Sequence, residues 1–479
     1  MDVIKSRTFI ARMLYWLYPG LKIKRWLLLA FCGLGAAFLG FLLLTGPAIF
    51  QFLKALLPLS GSFRYSLYGI LLLCVGLPAL FYGIYRAVRA AGEALLFKSN
   101  YSLIEKIFTS RYLADGPRLV AIGGGTGLST LLRELKNYTS NLTAVVTVAD
   151  DGGSSGRLRH ELGMLPPGDI RSCILAMADT EPLMEKLFEH RFTGGAGLAG
   201  HNFGNLFIAA MTEMFGFQEA VKFFGKVLAI RGQVYPVTLD LVQLESVDEK
   251  GEKILGESIH NSRRGSLRSI ALVPSPSAVK PLPEVLRAIA EADAIILGPG
   301  SLFTSVIPNL LVPGMIEALA SSPAPVFYIC NVMTQPGETT GFSASDHLRT
   351  LLEHTSPQLV DYVVVNSDLA VSPAELRPFR ARGAELVQPD YQNLRKLVPR
   401  IISYPLINRR MPSRHYGQDL ARLLMERIPE KMKRGWNSWE SRFFPRSHLV
   451  LKNNGMMDCR KGSFDRVIYP AGKTGAGPP

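Results

Sequence analysis

The residues best suited to phosphate chemistry begin with a glycine-rich loop at 123–127 (GGGTG). It follows a short apolar β-type segment at 118–122 and precedes leucines at helical spacing over 128–136. Backbone N–H groups at a strand–loop–helix junction, together with the positive end of the helix dipole, bind phosphate. The hydroxyls of Thr126 and Ser129 could add contacts. The alternative is a tight turn that only allows close packing of helix and strand.

The glycine loop matches neither of two common nucleotide-binding patterns. The dinucleotide pattern GxGxxG requires glycine at position 128, which is leucine, and an acidic residue about twenty positions later, whereas Asp150 arrives late. The Walker A pattern requires Gly-Lys-Ser/Thr, and the loop contains no lysine. These departures disfavour an NAD(P)-dependent oxidoreductase and a P-loop kinase or GTPase.

A second candidate group follows the next apolar segment. Residues 142–149 (LTAVVTVA) predict a buried strand that ends directly in DDGGSSGR at 150–157. In doubly wound folds, ligands bind at the carboxyl ends of parallel strands. Asp150 and Asp151 could therefore hold Mg²⁺ or ligand hydroxyls, and Arg157 could bind a phosphate through two N–H groups. The alternative is a solvated turn in which an aspartate caps the following helix.

Polar residues also follow most of the later apolar segments. Asp169 and Arg171 are predicted in a turn within PPGDIR (166–171), and His201, Asn202 and Asn205 at the start of an apolar helix within GHNFGN (200–205). Predicted strands at 294–297, 326–330 and 363–365 continue into GPGS, Asn331 and NSD, respectively. Because the carboxyl ends of parallel strands share one edge of a sheet, these groups predict a single α/β ligand cleft.

Two long apolar segments precede this region. No charged residue lies between Arg25 and Lys54, so the first apolar segment, residues 26–52, is uncharged. The second segment, residues 66–85, is also uncharged and ends before Arg86. Each segment is long enough to cross about 30 Å of hydrocarbon as a helix. A cleavable signal peptide is disfavoured because the first segment starts late and a second follows. With no charge inside either span, the pair is interpreted as a membrane anchor rather than a transport pathway.

The net charge of +14 is unevenly distributed. Residues 1–118 carry +10, residues 119–369 carry −8 and residues 370–479 carry +12. The acidic centre argues against nucleic acid as a partner, and basic flanks beside apolar helices favour anionic lipid headgroups. The lysines and arginines before the first span and after the second predict that both ends of the hairpin are cytoplasmic. The five cysteines are scattered without a CxxC pair, which favours reduced thiols.

Six motifs in order resemble the bacterial gluconeogenesis factor family, which is related to 2-phospho-L-lactate transferase. They are IGGGTGLS, VTVADDGGSSGRLR, LPPGDIR, GHNFGN, ADAIILGPGSLFTSVIPNLL and CNVMTQPGETTGF, within residues 117–428. The resemblance implies a Rossmann-like, doubly wound, mostly parallel sheet that binds a nucleotide-linked ligand. In that family the glycine loop holds phosphate, and an Arg-His pair near the end of the domain corresponds to Arg414 and His415. Phe379 stands where a tyrosine is expected, and Tyr416 departs from the usual Asp or Asn.

The resemblance leaves two functions open. One is a regulator that binds a UDP-sugar and links carbon metabolism to cell-wall synthesis and cell shape. The other is a Mg²⁺-dependent transferase of a substituted phosphate group, with Asp150 and Asp151 as metal ligands; no organic cofactor is predicted. The residues predicted to contact the ligand are Gly123, Gly124, Gly125, Thr126, Gly127, Ser129, Asp150, Asp151, Gly152, Gly153, Ser154, Ser155, Arg157, Asp169, Arg171, His201, Asn202, Asn205, Gly298, Gly300, Ser301, Asn331 and Arg414.

The predicted organisation has five parts. They are a basic N-terminus (1–25), a two-helix transmembrane hairpin (26–88), a helical linker (89–116), the ligand-binding domain (117–428) and a basic, partly disordered tail (429–479). An amphipathic membrane contact is an alternative for the tail, because aromatic residues follow a basic stretch there. The expected location is the cell membrane, multi-pass, with the ligand domain in the cytoplasm. Homo-oligomers and cell-wall or regulatory protein partners are also expected.

Overall fold

The structure, a computed structural model, describes residues 23–45, 62–92, 112–179, 182–195, 197–256, 266–273, 279–428 and 468–470. The chain divides into two compact units, with the boundary between Ala114 and Asp115. The predicted basic N-terminus, most of the linker and, apart from 468–470, the predicted tail lie outside the described residues.

The first unit contains two antiparallel helices, α1 (Ile23–Thr45) and α2 (Ser62–Gly92). Each contains a stretch that is long and apolar enough to cross a membrane, Trp26–Leu44 and Tyr68–Arg86. Glycines allow the close contact between them, since a β-carbon at Gly76 would lie 2.6 Å from the backbone nitrogen of Ala37. Large apolar side chains cover the outside of the pair, as in helices that face lipid.

The second unit is an α/β domain around one large sheet, as predicted. Its strands are β1 (Leu119–Gly123), β2 (Leu142–Val146), β3 (Gln233–Pro236), β4 (Gln243–Asp248), β5 (Lys253–Leu255), β6 (Leu267–Val273), β7 (Ala294–Leu297), β8 (Val326–Ile329), β9 (Tyr362–Asn366), β10 (Arg400–Tyr404) and β11 (Ile468–Pro470). Its helices are α3 (Gly125–Leu135), α4 (Gly153–Leu162), α5 (Gly168–Met177), α6 (Pro182–Glu189), α7 (Phe203–Phe215), α8 (Phe217–Val227), α9 (Pro283–Ala290), α10 (Ile307–Leu310), α11 (Met315–Ser321), α12 (Ala344–Glu353), α13 (Pro373–Arg380), α14 (Tyr391–Leu397) and α15 (Gly417–Arg427), with a π-helix at Leu302–Val306.

The strand order of the large sheet is β11-β10-β9-β8-β7-β1-β2-β3. All neighbouring strands are parallel except β11, which pairs antiparallel with β10. The parallel strands are short, β-branched and buried along almost their whole length, because helices cover both faces. The chain runs outward from β1 to β3 and then returns to β7 on the other side of β1. A crevice therefore opens at the carboxyl ends of β1 and β7, where ligands bind in such sheets.

Several predicted local elements differ from the structure. Strand β2 ends at Val146 rather than 149, because its register partner β1 ends there at Gly123. Asp169 and Arg171 were predicted in a non-helical turn but lie at the start of helix α5, because the preceding prolines favour a helix start. Helix α3 begins at Gly125, three residues earlier than predicted.

A second, three-stranded antiparallel sheet has the order β5-β4-β6 and was not predicted. Strand β4 (QLESVD) is short and polar, and only Leu244 and Ser246 of it are buried. Such a strand has little of the apolar signal by which the strands of the large sheet are recognised.

Candidate functional site

A cavity of about 440 Å³ lies at the crevice between the ends of β1 and β7. Its walls come from the glycine loop after β1, the segment after β2, the start of α5, the segments after β7 and β8, and the start of α15. The volume is within the range of small-molecule sites in proteins. The cavity is therefore large enough for a ligand of nucleotide size.

The glycine loop forms one end of the cavity. Gly124 is extended and packs against Asp169, whose Oδ2 would collide with a β-carbon there, while Gly125 has a φ of +65° that favours glycine. Helix α3 begins at this point, so its first amides have no intrahelical acceptor. Among the described residues, the amides of Thr126 and Gly127 have no other backbone acceptor. The loop thus presents N–H groups and the positive end of a helix dipole to the cavity.

A buried asparagine holds this loop from behind. Asn309 Nδ2 donates to the carbonyl of Gly123 at 3.1 Å and to the carbonyl of Ser305 at 2.7 Å. Asn309 is fully buried, and Ser305 also lies on the cavity wall. One side-chain amide therefore links the loop after β1 to the segment after β7 and fixes the two walls relative to each other.

Two carboxylates face the glycine loop. Burial, with a further contribution from Asp150, raises the pKa of Asp169 from 3.8 to about 7, although the Gly125 N–H and Arg171 favour its ionised form. Burial also raises the pKa of Asp150, which accepts a hydrogen bond from the Gly152 amide at 2.9 Å. The Asp150 carboxylate disfavours ionisation of Asp169, and Asp151 disfavours ionisation of Asp150, so a bound cation would relieve this repulsion.

Oxygen ligands of this kind suit Mg²⁺, which is commonly held by one or two carboxylates together with substrate phosphates. Asp150 and Asp169 fit that role better than the predicted pair Asp150 and Asp151. The carboxylate of Asp151 faces the three-stranded sheet, where a β-carbon on Gly256 would collide with its Oδ2. Within the described parts of the chain, no cluster of three or more His, Cys, Asp or Glu residues forms a metal site.

Behind another part of the cavity wall lies a buried carboxylate with two cavity-lining partners. Ser301 Oγ donates to Glu338 Oε2, and Gln335 Nε2 donates to Glu338 Oε1. Burial raises the pKa of Glu338 from 4.5 to about 7 despite the Ser301 hydrogen bond. Glu338 is only 2% exposed, whereas Ser301 and Gln335 line the cavity. The glutamate therefore orients two polar side chains towards the ligand space without lining it.

Three further polar groups line the cavity with unused hydrogen-bonding capacity. Asn331 and Arg414 make no side-chain hydrogen bond or ion pair with any residue that the structure describes. His415 Nε2 donates to the carbonyl of Cys330 at 3.1 Å, so Nδ1 is left as an acceptor. Burial lowers the pKa of His415 to about 4, which keeps the ring neutral. The cavity thus offers one unpaired cation, one amide and one imidazole acceptor.

The wall near Arg414 is apolar. Val332, Met333, Pro336, Phe379 and Ala384 line it. Val332, Met333 and Ala384 belong to a small hydrophobic cluster separate from the main core, and Phe379 packs against it. A cavity lined by amides and carboxylates as well as by an aromatic, apolar wall suits a ligand with a phosphate part and a flat or apolar part.

A second group of predicted site residues forms a buried network away from the cavity. This Ser154 cluster consists of Ser154, His201, Asn202, Asn205 and Arg171. The amide of Asn202 and the Nδ2 of Asn205 donate to Ser154 Oγ, at 3.4 and 3.2 Å, so the serine hydroxyl donates to His201 Nδ1 at 3.0 Å. Arg171 Nη1 donates to Asn205 Oδ1 at 2.7 Å. The cluster joins α4, α5 and α7, and Asp169 lies two residues before its arginine.

The structure therefore separates the predicted ligand residues into two sets. Those lining the cavity are Gly124, Gly125, Thr126, Gly127, Asp150, Asp169, Gly300, Ser301, Asn331 and Arg414. Those placed off its wall are Gly123, Ser129, Asp151, Gly152, Gly153, Ser154, Ser155, Arg157, Arg171, His201, Asn202, Asn205 and Gly298. Ser129 Oγ, for example, bonds back to the Thr126 carbonyl, and Arg157 Nη2 donates to the Ala199 carbonyl at 2.9 Å. Direct contact with a ligand stays a prediction for both sets.

Three residues important for the site were not among the predicted ones. Asn309 and Glu338 lie inside recognised motifs, but one partner of each, Gly123 and Ser301 respectively, is distant in sequence and gave no local signal. Thr130 lies one helical turn beyond Thr126 on α3 and lines the cavity, so the helical period could have indicated it.

Comparisons with known proteins agree with this fold. The sequence pattern of the family described as 2-phospho-L-lactate transferase CofD matches residues 119–407. The gluconeogenesis factor of Bacillus subtilis is 44% identical over 321 residues, which cover 66% of this chain and 100% of that protein. A relative from a Nostoc species is 44% identical over 421 residues, covering 86% of this chain and 91% of that protein. A crystal structure of a Bacillus halodurans member of the UPF0052 family matches with a TM-score of 0.62 and 43% identity, covering 65% of this chain and 99% of that one.

Proposed function

The chain belongs to the CofD family and, within it, to the gluconeogenesis factors, and from this premise we propose that it binds a UDP-sugar or a related nucleotide-linked ligand as a regulator. One observation carries the proposal. The cavity has amide donors at the start of α3 at one end, the unpaired guanidinium of Arg414 and an apolar wall with Phe379. Phosphates fit the first two groups, and a planar base fits the third.

The neutral and fixed state of His415 argues against this residue as a general base. Its Nε2 is engaged with the Cys330 carbonyl, and its pKa of about 4 leaves only a weakly basic Nδ1 towards the cavity. A general base works best when its pKa lies near the working pH. In this proposal, ligand occupancy reports the supply of nucleotide sugar and alters contacts with protein partners, linking carbon metabolism to cell-wall synthesis and cell shape. A homo-oligomer is part of the same hypothesis.

The second candidate function is transfer of a phosphate-linked group, and the pair of Asp150 and Asp169 favours it. Both carboxylates line the cavity beside the glycine loop, and both pKa values are raised. Mg²⁺ held there would neutralise charge that develops on transferred phosphate oxygens. Asp169 would also keep the Gly125 amide in place, and Arg414 would orient the donor from the other end.

We place this protein in the cell membrane as a multi-pass protein, with α1 and α2 as the anchor and the α/β unit in the cytoplasm. Two features support the placement. Both spans are apolar over 19 residues, with mean hydropathies of 2.5 and 1.8. The sequence carries more lysine and arginine before the first span and after the second than between them, which orients both ends to the cytoplasm.

The experiment is a calorimetric titration of the full chain in detergent with UDP-N-acetylglucosamine, with and without Mg²⁺. Replacing Arg414 with glutamine (Arg414→Gln) removes the unpaired cation, and we expect affinity to fall by at least about tenfold, since charge-assisted hydrogen bonds contribute roughly 1.5 to 3 kcal/mol. Arg410→Gln is the matched control, because Arg410 is exposed and off the cavity wall.

The ligand is recovered after the titration and analysed for cleavage. Intact ligand with loss of affinity only in Arg414→Gln agrees with the regulator. Cleavage or group transfer in the presence of Mg²⁺ would favour the transferase. Equal binding by the two variants, or no binding by the wild-type chain, would contradict the nucleotide-sugar assignment.

A further inference from the structure

One end of the helical hairpin carries a cluster of aromatic and cationic side chains that membrane anchoring alone does not require. The guanidinium carbon of Arg86 lies 4.8 Å from the centroid of the Trp26 ring. Tyr82 packs edge-on against the same indole, with a centroid distance of 5.6 Å and an interplanar angle of 85°. These three side chains, here named the Arg86 cluster, lie where the first span begins and the second ends.

Close packing of the two helices fixes the cluster. A β-carbon on Gly83 would lie 2.7 Å from the carbonyl oxygen of Trp26, so the backbones touch at this level. The same close approach recurs one and two heptads earlier, at Gly76 and Gly69. Small residues at such positions hold transmembrane helices in one register. The stacking of Arg86 on Trp26 is therefore determined by the antiparallel register.

Stacking uses the face of the guanidinium and leaves its N–H edge available. In the part of the chain that the structure describes, Arg86 has no hydrogen bond or ion pair. A planar guanidinium presents its five donors in one plane and binds phosphate through two parallel N–H groups. Held against an indole, it loses little side-chain freedom when it does so. The cluster is thus a preformed binding site that donates hydrogen bonds to a phosphate.

The sequence around the Arg86 cluster is positively charged, which favours an anionic partner. The chain has no acidic residue between Asp2 and Glu93. Helix α1 places the backbone of Lys24 and Arg25 at the same end as Arg86, and α2 places Arg89 there. Glu93, four residues after Arg89, is the nearest carboxylate in sequence, so the positive charges at this end outnumber it and favour an anionic partner such as a lipid headgroup.

We propose that the Arg86 cluster binds the phosphate headgroup of an anionic phospholipid. A lipid is favoured over free phosphate because large apolar side chains continue along the helices from the cluster. Leu28 and Phe81 are 68% and 67% exposed, and acyl chains attached to the headgroup would cover them. Tryptophan and tyrosine also favour this depth of the membrane. The inference rests on the proposed insertion of the hairpin into a bilayer.

The test counts phospholipids retained by the purified full chain, using native mass spectrometry in a zwitterionic detergent. Phosphatidylglycerol and phosphatidylcholine with the same acyl chains are added in equal amounts. We expect phosphatidylglycerol to be retained about fivefold over phosphatidylcholine, the preference that one basic side chain near a membrane surface provides. Arg86→Gln should lose this preference, and Arg86→Lys, which keeps the charge without the planar donors, should retain part of it.

The matched control is Arg64→Gln, which removes one positive charge near the opposite end of α2 and should leave the preference unchanged. Equal losses in Arg86→Gln and Arg64→Gln, or no preference in the wild-type chain, would overturn the site. Displacement of phosphatidylglycerol by inorganic phosphate at millimolar concentration would assign the site to free phosphate instead. Flotation with phosphatidylcholine vesicles is measured alongside. Failure to float would refute the anchor and the site together, whereas flotation without a headgroup preference refutes the site alone.

Discussion

The cavity wall and the Ser154 cluster contain similar polar residues, but they differ in whether those side chains already have hydrogen-bond partners within the protein. Both combine asparagine, serine and an arginine. In the Ser154 cluster, Asn205 bonds to Ser154 and Arg171, so these polar groups serve each other. On the cavity wall, Asn331 and Arg414 have no side-chain partner among the described residues. Satisfied polar groups stabilise a fold, whereas unsatisfied ones in a cavity are available to a ligand.

This difference predicts opposite consequences for two asparagine substitutions. Asn205→Ala leaves Arg171 Nη1 without its partner and removes one of the three hydrogen bonds of Ser154 Oγ, in a buried position. We expect the free energy of unfolding to fall by about 3 kcal/mol, the upper part of the range for an abandoned buried polar group. Asn331→Ala should change it by less than about 0.5 kcal/mol, because its amide bonds to no described residue.

Chemical denaturation of both variants, together with titration of UDP-N-acetylglucosamine, checks this pair. The α/β unit can be used for denaturation, since relatives consisting of little more than this unit have been crystallised. We expect ligand affinity to fall in Asn331→Ala and to persist in folded Asn205→Ala. If both variants lost stability equally, the division between the two groups would be wrong.

Glu338 shares a property with each of the two groups. It is buried and hydrogen-bonded like the Ser154 cluster, but its partners Ser301 and Gln335 line the cavity. Its pKa of about 7 in the fold, against an ordinary 4.5, means that the folded chain holds this proton more tightly. The associated stability is complete below pH 4.5 and is lost as the pH rises through 7. The wild-type chain should therefore lose about 2 to 3 kcal/mol relative to Glu338→Gln between pH 5 and pH 8.

Unfolding free energies at pH 5, 6.5 and 8 measure this effect in wild type and variant. The Asp169 carboxyl titrates in the same direction in both proteins, so the difference between them isolates Glu338. Glu353→Gln, which removes an exposed carboxylate at the end of α12, is the control. A difference that does not grow with pH would show that Glu338 is not held protonated by the fold.

Substitutions at two glycines with left-handed backbone conformations distinguish an effect on stability from an effect on ligand binding. Gly125 has a φ of +65° on the cavity wall, and Gly153 has a φ of +52° off it. A β-carbon at Gly125 would meet only Ser305 Oγ at 3.8 Å, and at Gly153 nothing within 4 Å, so backbone conformation sets the cost. Each alanine should cost about 1 to 2 kcal/mol in unfolding free energy. Only Gly125→Ala, which adds a methyl group beside the phosphate loop, should also weaken ligand binding.

Thermal or chemical unfolding and the same ligand titration compare these two variants. Loss of ligand affinity in Gly153→Ala would mean that DDGGSSGR contacts the ligand directly. Retained affinity in Gly125→Ala would show that the phosphate does not bind at the loop after β1.

How far the sequence predicts this molecule depends on the range of the interactions involved. The apolar spans and the buried parallel strands follow from local composition, and the glycine loop follows from a strand, a turn and a helix that are contiguous. By contrast, Asn309 bonds to a carbonyl 186 positions away, and Glu338 to a serine 37 positions away. Composition cannot distinguish His201, whose Nδ1 accepts from Ser154, from Arg414, which has no described partner. Only the fold reveals which polar groups are already satisfied.

The smallest effect is expected for a substitution at Arg157, which tests the comparison between the cavity wall and the Ser154 cluster directly. It was predicted to bind phosphate through two N–H groups, yet its Nη2 donates to the carbonyl of Ala199 and its side chain is off the cavity wall. Arg157→Gln should therefore leave UDP-N-acetylglucosamine affinity within about twofold and change the unfolding free energy by no more than about 1 kcal/mol, the worth of one partly exposed hydrogen bond. Calorimetry beside Arg414→Gln measures the contrast between two arginines with the same charge. If Arg157→Gln weakened binding as much as Arg414→Gln, the ligand would have to reach the Ser154 cluster, and the buried network would belong to the binding site.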